Sequence, residues 1–146
     1  MSASEPRILL IDDDPALLQC LFDMLMYRLR PAVVVAQSPS QDVASQVQHG
    51  NYDVVICDLK MPKQGGLEVI SGIKAVKPQQ AVILMTGCIE ESIEQQARKE
   101  GAVAILRKPL DRDEVVRVIR SLLEVSRQDP AVYDPSRTTA SEDRPC

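Results

Sequence analysis

Four apolar runs in this chain each end on a residue type that phosphoryl chemistry uses. Ile8 to Ile11 is followed by Asp12 and Asp13, Val54 to Cys57 by Asp58, and Val82 to Met85 by Thr86, while Val103 to Leu106 leads through Arg107 to Lys108 and Pro109. In an open sheet of parallel strands the carboxyl ends share one edge, where ligands bind, so these residues would converge there. Three carboxylates gathered in one cleft repel one another unless a cation lies among them. A small set of hard carboxylate oxygens suits Mg²⁺, which keeps waters and completes its shell with phosphate oxygens. Asp58, held at the end of the most apolar run, is then a nucleophile toward phosphorus, and Lys108 and Thr86 can stabilise charge on the transferring group. Taken singly, an acidic turn, a threonine ending a strand and a solvated lysine are ordinary features. Their co-occurrence at four strand ends favours a site.

The elements that would position these residues follow from alternation. Apolar runs alternate with stretches of helical period, which predicts right-handed crossovers, a parallel sheet and a layered α/β fold. Asp14 with Pro15 reads as the cap and first position of a helix that buries Leu17, Leu18, Leu21, Leu25 and Leu29 and stops at Pro31. Ala32 to Ala36 reads as the second strand, and Ser38 or Ser40 as the cap of a short polar helix reaching His49 and closed by Gly50 and Asn51. Lys60 to Gly66, with Pro62, is a loop before a helix on Leu67, Val69, Ile70 and Ile73 that ends at Lys77 and Pro78. After Gly87 a helix runs from about Glu90 to Glu100, closed by Gly101, and the fifth strand starts at Ala102. Asp111 caps a last helix striped with Val115, Val116, Ile119, Leu122 and Leu123. Residues 127–146, punctuated by Pro130, Pro135 and Pro145, are expected to be a disordered tail or linker; residues 1–6 are a short extension, and 7–126 one domain.

Composition narrows the function classes. A chain of 146 residues with 45% hydrophobic content can bury one sizeable core. No apolar stretch is long enough to span a bilayer and Met1 to Pro6 lacks the regions of a secretory signal, so a soluble cytoplasmic protein with no membrane partner is expected. Cys20, Cys57, Cys88 and Cys146 show no paired-ligand spacing, which argues against a disulfide framework or zinc site. A net charge of −4 argues against direct nucleic-acid contact. The single histidine, His49, has no acidic or hydroxyl partner in local sequence and reads as a solvated helix end. A phosphoryl-donating histidine would therefore have to come from another protein.

The strings Ile11-Asp12-Asp13-Asp14-Pro15, Cys57-Asp58-Leu59-Lys60-Met61-Pro62, Gly66-Leu67, Met85-Thr86-Gly87 and Lys108-Pro109 stand in an order and spacing that resembles the receiver domain of two-component response regulators, over about Arg7 to Arg127. That resemblance implies a flavodoxin-like, three-layer α/β/α sandwich on a five-stranded parallel sheet of order 2-1-3-4-5. It implies Asp58 as phospho-acceptor, Asp12 and Asp13 with Asp58 and the Lys60 backbone carbonyl as the Mg²⁺ site, Thr86 as a switch hydroxyl and Lys108 as a phosphoryl contact. A sensor histidine kinase or phosphotransfer protein would be the donor, and an output domain or effector the target. Such a chain is a switch more than an enzyme, at most adding and removing its own phosphoryl group.

Several positions depart from the family pattern. Ile105 stands where receivers usually carry Tyr or Phe, the ring that turns inward as the threonine moves, so coupling here would run through backbone shifts. Gly65 replaces a common acid and Leu110 a common aromatic, while Lys60 and Cys88 flank the place of an acyl phosphate and Gly87 leaves it open. Arg98, Lys99, Arg107, Arg117 and Arg120 mingle with Glu94, Glu100, Asp113 and Glu114 around the fourth helix, fifth strand and fifth helix, a solvated face or the contact of a homodimer. Two other functions compete. A Mg²⁺-dependent phosphohydrolase would use Asp12 and Asp14 as a D-x-D pair, but Pro15 and Ala16 lack the threonine of that motif; a pseudo-receiver would only bind a partner and would have no need for all five site residues.

Overall fold

Alternating short runs of Val, Ile and Leu with helical stretches builds, among the described residues, ten elements in strict β–α succession. The computed structural model describes residues 5–29, 32–38, 42–61, 65–87 and 90–127. Its elements are β1 (Arg7–Ile11), α1 (Pro15–Arg28), β2 (Val33–Gln37), α2 (Val43–Gly50), β3 (Val54–Asp58), α3 (Gly66–Val76), β4 (Ala81–Thr86), α4 (Glu91–Glu100), β5 (Ala104–Arg107) and α5 (Arg112–Arg127). The five strands form one parallel sheet of order β2-β1-β3-β4-β5, the flavodoxin-like receiver fold expected from the motifs. In register, Ile11 lies opposite both Gln37 and Cys57, Asp58 opposite Met85, and Thr86 opposite Arg107.

Each strand is pleated, so successive side chains feed two cores. Ile8, Leu10, Ile56, Ile83 and Met85 join Leu18, Leu21 and Leu25 of α1 and Val115, Val116, Val118 and Ile119 of α5. Leu9, Ile11, Val55, Val82 and Leu84 join Val43 and Val47 of α2, Val69, Ile70 and Ile73 of α3 and Ala97 of α4. Residues Val54 to Asp58 of β3 are buried throughout, as a strand covered on both faces must be. Among the described residues no helix is long and apolar enough to cross a membrane.

Helix ends follow local chemistry closely. Asp14 Oδ1 accepts from the amides of Ala16 and Leu17 at 3.0 and 3.3 Å, with Pro15 at the first helical position. Asp111 Oδ1 takes the amides of Asp113 and Glu114 at 2.9 and 3.2 Å. Gly101 closes α4 at φ 112° and Asn51 closes α2 at φ 54°, both left-handed. Two expectations shift. β2 lies one residue later than Ala32 to Ala36, in step with its pairing of Val33 with Arg7. The α2 cap position belongs to Asp42, which makes no side-chain cap bond, rather than to Ser38. The readings placed on Pro31, Ser40, Pro62, Cys88 and 128–146 lie outside the described residues.

Candidate functional site

Because β1 and β3 are neighbours, the acids that end them meet. One carboxylate oxygen from each of Asp12, Asp13 and Asp58 lies within 4.8 Å of the others. Asp12 is fully buried and Asp58 6% exposed, whereas Asp13 faces solvent. Lys108 reaches in from beyond β5: its Nζ stands 3.2 Å from Asp12 Oδ2 and 3.3 Å from Asp58 Oδ2. The Lys108 amide donates to the Thr86 carbonyl at 2.8 Å, extending the β4–β5 ladder by one rung, and the Lys108–Pro109 peptide is cis. Asp12, Asp13, Asp58 and Lys108 are thus brought together. Thr86, 2% exposed, ends the strand beside β3, and Lys60 is exposed on the loop after Leu59.

The second oxygen of Asp12 is also engaged, accepting from the Asp14 amide at 2.9 Å. Burial lifts the Asp12 carboxyl above its ordinary value of 3.8; the Asp58 charge adds to that, while the Asp14 amide and Lys108 oppose it. For Lys108, burial alone would lower the ammonium, but the charges of Asp12 and Asp58 and its bonds to both outweigh burial and raise it. The Cys57 thiol, buried beside the acids, is pushed up to about 12 by burial and then by Asp58 and Asp12. It remains a neutral thiol that fills core space.

One contributor has a reason the motif alone does not reveal. A Cβ on Gly66 would come 2.6 Å from the Asp58 carbonyl oxygen and 2.8 Å from Leu59 Cα, and the Gly66 amide donates to the Leu59 carbonyl at 2.8 Å. Only glycine lets α3 begin against the backbone of the lone acid. Leu59 and Met61, beside it, are buried, so residues 59–61 are seated in the core by alternate side chains.

The response regulator receiver domain family matches residues 8–120. The chain belongs to that family. It is 32% identical over 128 residues to the transcriptional regulatory protein GlrR of Escherichia coli K12, covering 86% of this chain and 28% of GlrR. It is likewise 32% identical over 136 residues to ZraR of Salmonella typhimurium, covering 91% of this chain and 30% of ZraR. The chain therefore spans less than a third of the length of these curated relatives. A receiver domain protein from Clostridium thermocellum superposes with a TM-score of 0.75 at 32% identity, covering 84% of this chain and 97% of that one.

Receivers are signalling phospho-acceptor modules rather than catalytic enzymes, and the Asp12, Asp13 and Asp58 cluster is typical of their phospho-acceptor site. Membership implies a kinase partner. At the departures from the family pattern, this receiver shows specific geometry. Ile105, half-buried, lines a small apolar cavity of about 10 Å³ with Leu84 and Thr86 of the sheet, Leu59, and Ile93 and Ala97 of α4. Gly87 is exposed and a Cβ there would meet nothing within 4 Å. Leu110 packs against the α1–α5 core. On α4, Arg98 pairs with Glu94 at 3.4 Å, and on the other side Arg28 pairs with Asp113 at 3.2 Å, so part of the mixed charge is spent within the molecule.

Proposed function

We propose that Asp58 accepts a phosphoryl group from the phosphohistidine of a sensor kinase or phosphotransfer protein. The bridging of Asp12 and Asp58 by Lys108, at 3.2 and 3.3 Å, is the observation that carries this reading: a cation is already seated against the acceptor and offsets part of the charge of the three acids. In the transfer, a carboxylate oxygen of Asp58 attacks phosphorus, the P–N bond breaks, and its electron pair returns to the donor imidazole. The product is an acyl phosphate on Asp58. Lys108 follows the developing charge onto the phosphoryl oxygens, and the Thr86 hydroxyl donates to one of them.

The residues present fit a Mg²⁺ site: three carboxylate oxygens lie within 4.8 Å of one another, and burial makes the Asp12 charge one that a cation relieves. Asp12, Asp13, Asp58 and the Lys60 backbone carbonyl would hold the ion, which when bound neutralises charge on the transferring group. Residues 7–126 form the working domain, flanked by the 1–6 extension and the 127–146 tail or linker, and act in the cytoplasm. GlrR and ZraR are transcriptional regulatory proteins, and the output here is an output domain or effector protein rather than direct nucleic-acid contact by this domain. A second copy docks through α4, β5 and α5 when Asp58 is modified.

The test is intact-mass analysis of wild type and Asp58→Ala incubated with Mg²⁺ and a small acyl phosphate. One phosphate adduct on wild type alone is the expected result. Peptide mapping of the adduct to Asp12, with continuous release of phosphate from small monoesters, would instead favour a phosphohydrolase.

A further inference from the structure

The position of Asp12 depends on a contact at the sheet's edge that lies outside the acid pocket. β2 is an edge strand, paired only with β1, and its last residue, Gln37, receives the Asp12 amide on its carbonyl oxygen at 3.3 Å. A strand end at an edge, paired on one side alone, opens locally more readily than a central one unless further contacts hold it. Here the Gln37 side chain donates to Gln46 Oε1 at 2.8 Å, and Gln46 donates back to Gln37 Oε1 at 2.6 Å. Gln46 Nε2 also lies 3.5 Å from the hydroxyl of buried Tyr52. Both amides are only partly exposed, so a broken pair leaves polar groups poorly solvated. The helix that supplies Gln46 is short and buries Val43 and Val47, and the reciprocal pair ties it directly to the end of β2.

We infer that Gln37 and Gln46 are positioning residues for the acid pocket: their amide clasp fixes the end of β2, whose carbonyl holds the Asp12 backbone and so aims the Asp12 carboxylate. The inference rests on the reading of Asp12 as a metal ligand. Gln46 acts through its side-chain bonds to Gln37, and Gln37 reaches Asp12 through its main-chain carbonyl.

Two measurements on the full chain test it, at a temperature where every variant is folded by circular dichroism. The first is hydrogen exchange at the Asp12 amide in metal-free protein, which needs no metal site. The second is the Kd for Mg²⁺ alone, by calorimetry. Gln46→Leu, and Gln46→Ala as a milder second variant, are expected to speed Asp12 amide exchange at least tenfold and weaken Mg²⁺ binding about threefold to tenfold. The double variant Gln37→Glu/Gln46→Lys, which replaces the clasp with an ion pair across the same gap, is expected to restore both. Ile119→Val, a core change on α5 in the opposite face of the sheet, serves as the control that lowers stability without touching the layer that holds the clasp. Unchanged exchange and Kd in both Gln46 variants would overturn the inference. Wild type that does not bind Mg²⁺ would overturn the reading of the pocket, leaving the exchange rates to decide the clasp.

Discussion

Asp12 and Lys108 carry opposite charges but both shift upward, and the sign of each shift predicts a different pH response. An acid whose folded pKa exceeds its unfolded value holds its proton more tightly when folded. The metal-free fold therefore gains stability from Asp12 as pH falls through its raised value toward 3.8, and bears the burial penalty at neutral pH. Lys108, also raised, contributes stability that is present below 10.5 and lost as pH rises through its folded value. A ligand that binds only the folded state adds about 2.7 kcal/mol at a hundredfold excess over Kd. Mg²⁺ needs the Asp12 carboxylate ionised, so its stabilisation should be larger at about pH 7.5 than at about pH 4, close to the ordinary carboxylate value, where the proton competes. Thermal melts with and without Mg²⁺ at the two pH values check this, and an equal Tm gain at both would contradict it. Cys57 offers a separate check. Its thiol, held near 12, should resist iodoacetamide in native protein at pH 8 while exposed Cys20 is alkylated, as read by peptide mass mapping.

At the scale of elements, α3 is the helix whose position most directly affects Asp58. Its first residue, Gly66, lies so close to β3 that an added methyl would contact the Asp58 carbonyl oxygen at 2.6 Å, and that neighbour is backbone, which cannot swing aside. Gly66→Ala should therefore lose about 1–3 kcal/mol, the usual range for overpacking, and slow modification of Asp58. Urea titration and acyl phosphate labelling measure the two effects, and a variant with wild-type stability would show that α3 can shift freely. The reason for Gly66 was not legible in sequence, although the Gly66-Leu67 string was. Legible features were those set within a few residues: Asp14 with Pro15, Gly101 after α4, and Asp111 before α5 all cap as their types predict. What depended on distant pairing was less so. The start of β2 is set by its register with Arg7, and alternation of strands and helices indicates a parallel sheet without giving its order. Lys108 bridges Asp12 across 96 positions, a contact that only sheet closure creates.

The whole molecule is one sheet with a core on each face, and the site sits at the edge where both cores end. Leu25 of α1 is fully buried in one core and Ile73 of α3 in the other, and the two clusters share strands but no side chains. Truncating either to alanine should lose about 2–5 kcal/mol, because the removed methyls lose burial and the cavity left behind collapses only partly. Residues without shared partners combine additively, so the double variant should lose the sum of the two within about 0.5 kcal/mol. Yet both losses should appear in the same transition. Every strand of β1, β3 and β4 feeds both faces, so neither layer of helices can leave without exposing residues that the other still covers. Urea unfolding of the single variants, followed by far-ultraviolet dichroism for helices and near-ultraviolet dichroism for the tyrosine environments, should give coincident curves. If Ile73→Ala instead loses the near-ultraviolet signal, to which buried Tyr52 in its own core contributes, before the helical signal, the α2–α3–α4 layer opens by itself. Asp58 would then be carried by a sheet with one stable face, and access to it would depend on the opening of that layer.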